Sequence, residues 1–293
     1  MIHEIHAKSL LQKCKAPSGW FNIHYNMNIY RGCQHGCVYC DSRSDCYRIE
    51  NFDTDITVKI NALELIEKEL KKKDNHLTVG TGSMCDPYMP IEKKYCLTRQ
   101  ALEIIEKYNF PINIITKSDL VLRDYDLLTA INKKRMATVG ITLTTVDDEL
   151  AKILEPHAPL PSKRVEALNI LSENSINTGV LLMPVLPFIE DSKKGLTDII
   201  EAARKAKFKF IIAYFGMTIR AGQREYFYGK LDKYFPSLKE RYIKTFRDSY
   251  SCNAPNYKEL YALFTKKCEE YGIIYKMKSV PYHIPVKEQL SLF

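Results

Sequence analysis

Three cysteines stand close together in Tyr30-Arg31-Gly32-Cys33-Gln34-His35-Gly36-Cys37-Val38-Tyr39-Cys40, spaced C-x3-C-x2-C. Thiolates are soft ligands suited to iron–sulfur clusters or to zinc. A structural zinc site wants four ligands, usually as two pairs, and no second C-x2-C pair occurs in the chain. Three cysteines fit a [4Fe-4S] cluster with one iron left open for another ligand. Gly32 and Gly36 would let the backbone turn tightly around it, and His35, inside the loop, is better suited to hydrogen bonding than to ligation. Cys33, Cys37 and Cys40 are therefore the expected metal ligands. The chain holds nine cysteines and opens on no secretory signal, so metal or redox chemistry explains them better than disulfides do.

The elements that must position this loop follow from periodicity. β-Prone runs at residues 22–30, 77–81, 112–116, 137–144, 178–183 and 208–215 alternate with amphipathic patterns at 61–73, 98–108, 125–133, 162–173 and 196–206. Thr98 and Ser162 read as helix caps. Six strand–helix alternations predict a parallel sheet with crossover helices, an α/β domain either doubly wound or barrel-like. Beyond residue 222 the rhythm changes to helices rich in Tyr, Phe and Lys, a short strand at 273–277 and a tail. With 293 residues, 45% hydrophobic and 27% charged, the chain can bury a full core and is not disordered. No apolar run approaches the roughly 20 residues of a membrane span. The expectation is a cytoplasmic protein.

At the cysteine loop the chain resembles the radical S-adenosylmethionine (SAM) superfamily. The longer string Y-x-G-C-x-H-G-C-x-Y-C resembles its spore photoproduct lyase-like branch, also called DNA repair photolyase-like. Asp86-Pro87-Tyr88-Met89-Pro90-Ile91-Glu92, Thr116-Lys117 and Gly222-Gln223-Arg224-Glu225 extend the likeness over about residues 20–230. The resemblance implies a partial (β/α)6 radical SAM barrel with its chemistry at the strand C-termini. It implies a [4Fe-4S] cluster and S-adenosyl-L-methionine as cofactors, reduced by an electron donor to give a 5′-deoxyadenosyl radical that abstracts a substrate hydrogen. The protein's part is to orient, shield and choose.

The same resemblance assigns the surrounding residues. Ser83, Cys85 and Asp86, after the second strand, would receive the cofactor's amino group; Asp86-Pro87 also reads as a plain turn. Lys117 would pair with the cofactor's carboxylate. Thr142, Thr144 and the neighbouring Thr145 end the fourth strand and would meet carboxylate or ribose, although β-propensity alone accounts for threonines there. Met183 would face the adenine, with core packing as the alternative. Tyr39 is the aromatic residue before the third cysteine and a catalytic candidate. Spore photoproduct lyase returns a hydrogen atom from a cysteine three residues ahead of this aspartate. That offset falls here on Ser83, and the nearest thiol is Cys85.

The C-terminal quarter carries most of the net charge, +6 of +8 from residue 220 onward, and 15 of the 32 aromatics. Lys/Arg beside aromatics suit phosphates and bases. Tyr242, Phe246 and Tyr250, and likewise Tyr257, Tyr261 and Phe264, fall at helical spacing and read better as core. Lys239, Arg241, Lys244 and Arg247 lie off those stripes. The last five residues, Gln289, Leu290, Ser291, Leu292 and Phe293, resemble the pentapeptide by which bacterial polymerases and repair proteins dock on the replicative sliding clamp.

The expected organisation is an N-terminal extension (1–20), the barrel (21–220), a helical basic extension (221–288) and the clamp-binding-like tail (289–293). The expected function is a radical lyase or related enzyme of DNA repair or modification. The alternatives are a radical enzyme acting on RNA, a peptide or a small molecule, and a non-catalytic iron–sulfur accessory that binds DNA.

Overall fold

The structure is a computed structural model and describes residues 1–281. The clamp-like residues 289–293 lie outside it. The chain begins with β1 (Ile2–Ile5), β2 (Leu11–Lys13), β3 (Ile23–Met27) and β4 (Tyr30–Arg31). After the cysteine loop come β5 (Ile56–Lys59), α1 (Ala62–Leu70), β6 (Thr78–Thr81), α2 (Glu92–Tyr95), α3 (Leu97–Lys107) and β7 (Ile112–Thr116). Then follow α4 (Tyr125–Lys134), β8 (Ala137–Thr142), α5 (Asp148–Leu154), α6 (Pro161–Glu173), β9 (Asn177–Leu182), α7 (Lys193–Lys205) and β10 (Phe210–Ala213). The C-terminal part holds β11 (Gly216–Thr218), α8 (Gln223–Tyr234), α9 (Leu238–Phe246), β12 (Ser251–Asn253) and α10 (Tyr257–Tyr271).

The main sheet has the order β10-β9-β8-β7-β6-β3-β2, parallel from β10 to β3, with β2 antiparallel at its edge. Six parallel strands that do not close on themselves make the expected partial (β/α)6 barrel. Every residue of β6, β7, β8 and β9 is buried, as befits parallel strands covered on both faces. Helices supply the cover: α3 turns Leu97, Ala101, Leu102 and Ile105 inward. Of the first 20 residues, β1 pairs with β5 and β2 with β3. Among the described residues no helix is long and apolar enough to cross a membrane.

Several local expectations are corrected. Thr98 does not cap α3. The Glu92 carboxylate, one helix earlier, accepts from the Thr98 and Arg99 amides and does that work instead. Ser162 is inside α6, which starts on Pro161, a residue whose fixed φ suits a first turn; Asp148 takes the Ser162 amide and hydroxyl. The strand expected at 273–277 shrinks to one bridge, Ile274 to Phe210, because the chain winds into a 3-10 turn at Met277–Ser279.

The aromatic stripes are only partly core. Tyr242 and Phe264 are fully buried, whereas Tyr250, Tyr257 and Tyr261 are exposed. α9 ends at Phe246, so Tyr250 is off the helix, and α10 buries Leu260, Phe264 and Cys268, one residue out of step with Tyr257 and Tyr261. Lys239 is paired with Asp232 at 2.6 Å and Arg241 stacks on Phe188 at 3.8 Å, while Lys244 and Arg247 are exposed.

Candidate active site

The cysteine loop hangs between β4 and β5, which pair antiparallel through Tyr30–Val58 and Arg31–Thr57. It turns at Gly32 (φ +79°) and Gly36 (φ +70°). A Cβ at Gly32 would lie 2.6 Å from the Asp55 carbonyl oxygen, and one at Gly36 would lie 3.1 Å from the His157 ring. Only glycine meets both demands cheaply. Backbone bonds pin the loop on two sides: Cys33 N–H to Phe52 O at 3.0 Å, and Val38 N–H to Leu154 O at 2.9 Å. Arg43 braces it from behind. Its guanidinium donates to the Cys37 carbonyl at 3.2 Å and lies 3.8 Å from the Tyr226 ring and 5.1 Å from the Phe52 ring.

All three cysteines are free, and all three line one cavity of about 610 Å³. Its walls also carry Ser83, Cys85, Asp86, Lys117, Thr142 and Met183. Soft thiol donors with this much space beside them fit an iron–sulfur cluster and a further molecule. Burial pushes the Cys37 thiol up to about 12, so it is cluster formation that would draw the proton off.

The remaining expected residues divide by what they touch. Asp86 is filled by protein donors. Its Oδ1 accepts from the Tyr88 amide (2.8 Å) and the Thr116 hydroxyl (2.7 Å), its Oδ2 accepts from the Lys117 amide (2.6 Å), and His35 Nδ1 lies 3.4 Å away. Burial works against its charge, but His35 and these donors outweigh it and bring the carboxyl down to about 2. Asp86 thus ties the cysteine loop to the end of β7. Ser83 is exposed to the cavity and receives the Asn26 amide at 2.5 Å.

Lys117 presents its ammonium 4.0 Å from Glu155 and over the Tyr39 ring at 5.6 Å. Burial works against that charge too, yet Cys37 and Glu155 outweigh it and hold the ammonium above the usual lysine range. Tyr39 reaches the cavity and donates its hydroxyl to Glu155. Cys85 is buried and its S–H donates to the Tyr30 carbonyl at 3.0 Å; burial first, then the neighbouring Asp86, pushes the thiol up to about 12. Thr142 is on the wall. Thr144 is not among the lining residues, and its hydroxyl faces Glu190 instead.

Sequence reading missed Trp20, Met84, Tyr214 and Thr218, all on the cavity wall. Tyr214 and Thr218 follow the sixth barrel strand, where the strand-end rule could have found them. Trp20 precedes the first barrel strand and carried no signal. Glu155 and Arg164 were also missed. They form a buried pair at 2.5 Å beside Lys117.

Residues 27–196 match the family model of the Radical SAM superfamily. An uncharacterised protein of Mycobacterium bovis is 28% identical over 265 residues, covering 88% of this chain and 77% of the relative. One of Methanocaldococcus jannaschii is 37% identical over 193 residues, covering 65% of this chain and 70% of the relative. Among solved structures, a variant of spore photoproduct lyase superposes with a TM-score of 0.68 at 13% identity, over 92% of this chain and 78% of that one. A mutant of the same lyase holding a dinucleoside spore photoproduct gives 0.66 at 14% identity, over the same shares. At these identities the likeness is one of fold.

Proposed function

This chain belongs to the radical SAM superfamily, and from that premise we propose that it repairs or modifies DNA in the cytoplasm. The family works with a [4Fe-4S] cluster and S-adenosyl-L-methionine. Bound together, these supply reductive cleavage of the sulfonium and, through it, abstraction of a hydrogen atom from the substrate. The observation that carries this reading is the shared cavity: three free thiols face the same space as an ammonium, hydroxyls and an apolar wall.

Cys33, Cys37 and Cys40 would hold the cluster. Lys117 offers its ammonium to the cofactor's carboxylate, Ser83 a hydroxyl to its amino group, Thr142 a further hydroxyl and Met183 an apolar surface. Asp86, its oxygens already taken, orients these residues through Thr116, Lys117 and His35. Ile115, Leu181 and Met217 keep the cavity apolar and shield a reactive species from water. Cys85 holds an S–H hydrogen at the wall and is the candidate to return a hydrogen atom to product.

Three features support DNA as substrate. The solved structures that superpose on this chain include one of spore photoproduct lyase with its dinucleoside lesion. The C-terminal quarter is basic. Residues 289–293 resemble a sliding-clamp peptide, which would bring the enzyme to replicating or repaired DNA. A lesion inside a duplex would have to be extruded to reach the cavity, where the Trp20 and Tyr214 side chains offer stacking surfaces.

The test uses anaerobically reconstituted, reduced protein and measures 5′-deoxyadenosine release with no DNA, intact DNA and ultraviolet-irradiated DNA. Irradiated DNA is expected to accelerate release about tenfold or more, the scale of an interaction worth roughly 1.4 kcal/mol in the transition state. Equal release in all three removes DNA as the substrate. No release under any condition removes the radical activity.

A further inference from the structure

We propose that Glu155 is a positioning residue that presents the Lys117 ammonium to the cofactor and locks it to the cysteine loop. This rests on the reading of Lys117 as the partner of the cofactor's carboxylate. Lys117 directly follows β7 with its amide held by Asp86, but that bond leaves the side chain free to rotate about four carbon–carbon bonds. A fixed ammonium needs a second hold near its head.

Glu155 supplies it from the segment just after α5. Its carboxylate is buried, with Lys117 Nζ 4.0 Å from Oε1 and the Tyr39 hydroxyl donating to that same oxygen. Arg164 lies 2.5 Å from Oε2. Arg164 is itself pinned, donating to the carbonyls of Pro159 at 2.7 Å and Thr142 at 3.1 Å, so the carboxylate cannot swing away. The segment is also bonded to the cysteine loop on both sides of Tyr39's partner. Leu154 O accepts from Val38 N–H at 2.9 Å, and His157 N–H donates to His35 O at 3.1 Å. Loop and lysine therefore move as one unit. An ammonium has three N–H donors, so Lys117 can meet an incoming carboxylate and keep facing Glu155.

The experiment is a calorimetric titration of S-adenosyl-L-methionine into the anaerobically reconstituted full chain, with iron and sulfide measured on each sample. The samples are wild type, Lys117→Met, Glu155→Gln, Lys117→Met with Glu155→Gln, and Glu155→Gln with Arg164→Gln. The last avoids leaving a buried guanidinium alone, which by itself would destabilise the protein. Lys117→Met and Glu155→Gln are each expected to weaken binding by about tenfold, and the two together no more than Lys117→Met alone, since they act through one contact. Glu155→Gln with Arg164→Gln should lose as much as Glu155→Gln, and every sample should keep four irons.

Unchanged affinity in Glu155→Gln, or losses that add in the combined variant, overturns the proposal. So does iron lost from Glu155→Gln and from Glu155→Gln with Arg164→Gln, which would make this residue a brace for the cysteine loop only. If Lys117→Met binds as tightly as wild type, the reading of Lys117 itself fails and the proposal falls with it; a loss in Lys117→Met alone condemns Glu155 and spares Lys117.

Discussion

A thiol becomes a cluster ligand only where the backbone delivers it to a common space with others, and at residues 32–40 that delivery depends on Gly32 and Gly36. Cys33, Cys37 and Cys40 replaced together by alanine should therefore give a folded, colourless protein. Iron analysis should find less than one iron per chain against about four in wild type, the count of the cluster type, and no 5′-deoxyadenosine should form. A full cluster in that variant would refute the ligand assignment. Cys85 tests a different step. It is buried on the cavity wall with its hydrogen on the Tyr30 carbonyl. Cys85→Ala should still release 5′-deoxyadenosine at near wild-type rate but turn DNA lesions into aberrant products, seen by mass spectrometry of the digested DNA. Unchanged products would leave Cys85 a packing residue.

The strand-end loops are where the elements become a site, and one of them carries an unusual carboxyl. Glu190 follows β9, accepts the Leu186 amide at 3.1 Å and faces Thr144. Burial pushes it up to about 8, only partly opposed by the Thr144 and Leu186 hydrogen bonds. The folded state therefore keeps a proton that the unfolded chain, with an ordinary carboxyl, has lost. The Glu190 contribution to stability should be greatest below the ordinary carboxyl range, fall as pH rises from there to about 8, and level off above it. Between pH 6 and 9 the loss traceable to Glu190 should be roughly 3 kcal/mol, about two units at 1.36 kcal/mol each. Glu190→Gln keeps the shape without the titration. Urea midpoints at the two pH values should show the slope in wild type and a flatter response in the variant; equal slopes would place Glu190 in a wetter setting than its burial indicates.

At the scale of the whole molecule, a six-stranded partial barrel holds the cavity, β11 adds Met217 and Thr218 to its wall, and α8 braces the cysteine loop, with Gln223 donating to the Tyr39 carbonyl at 2.9 Å. The tail after this body tests recruitment. Deleting residues 289–293 should abolish binding to the purified sliding clamp, expected in the micromolar range because the translational and rotational freedom lost on association offsets much of the gain from burying Leu290, Leu292 and Phe293. Cofactor cleavage should be untouched, and an intact chain that shows no heat of binding at tens of micromolar clamp would end the clamp reading. The sequence alone was enough for the cysteine spacing and the six alternations, because ligand spacing and the two- and 3.6-residue periods are local properties of the chain, and the family resemblance added the strand ends as the place of the site. It was silent on which side chains at those ends are free. Asp86 accepts from a threonine 30 residues on, Thr144 turns away toward Glu190, and Glu155, 116 residues beyond Tyr39, accepts the Tyr39 hydroxyl and lies 4.0 Å from the Lys117 ammonium. Trp20 joins the wall from outside the barrel strands. Such pairings depend on side-chain direction and on segments that meet only when the sheet is assembled, so the tertiary structure alone decided them.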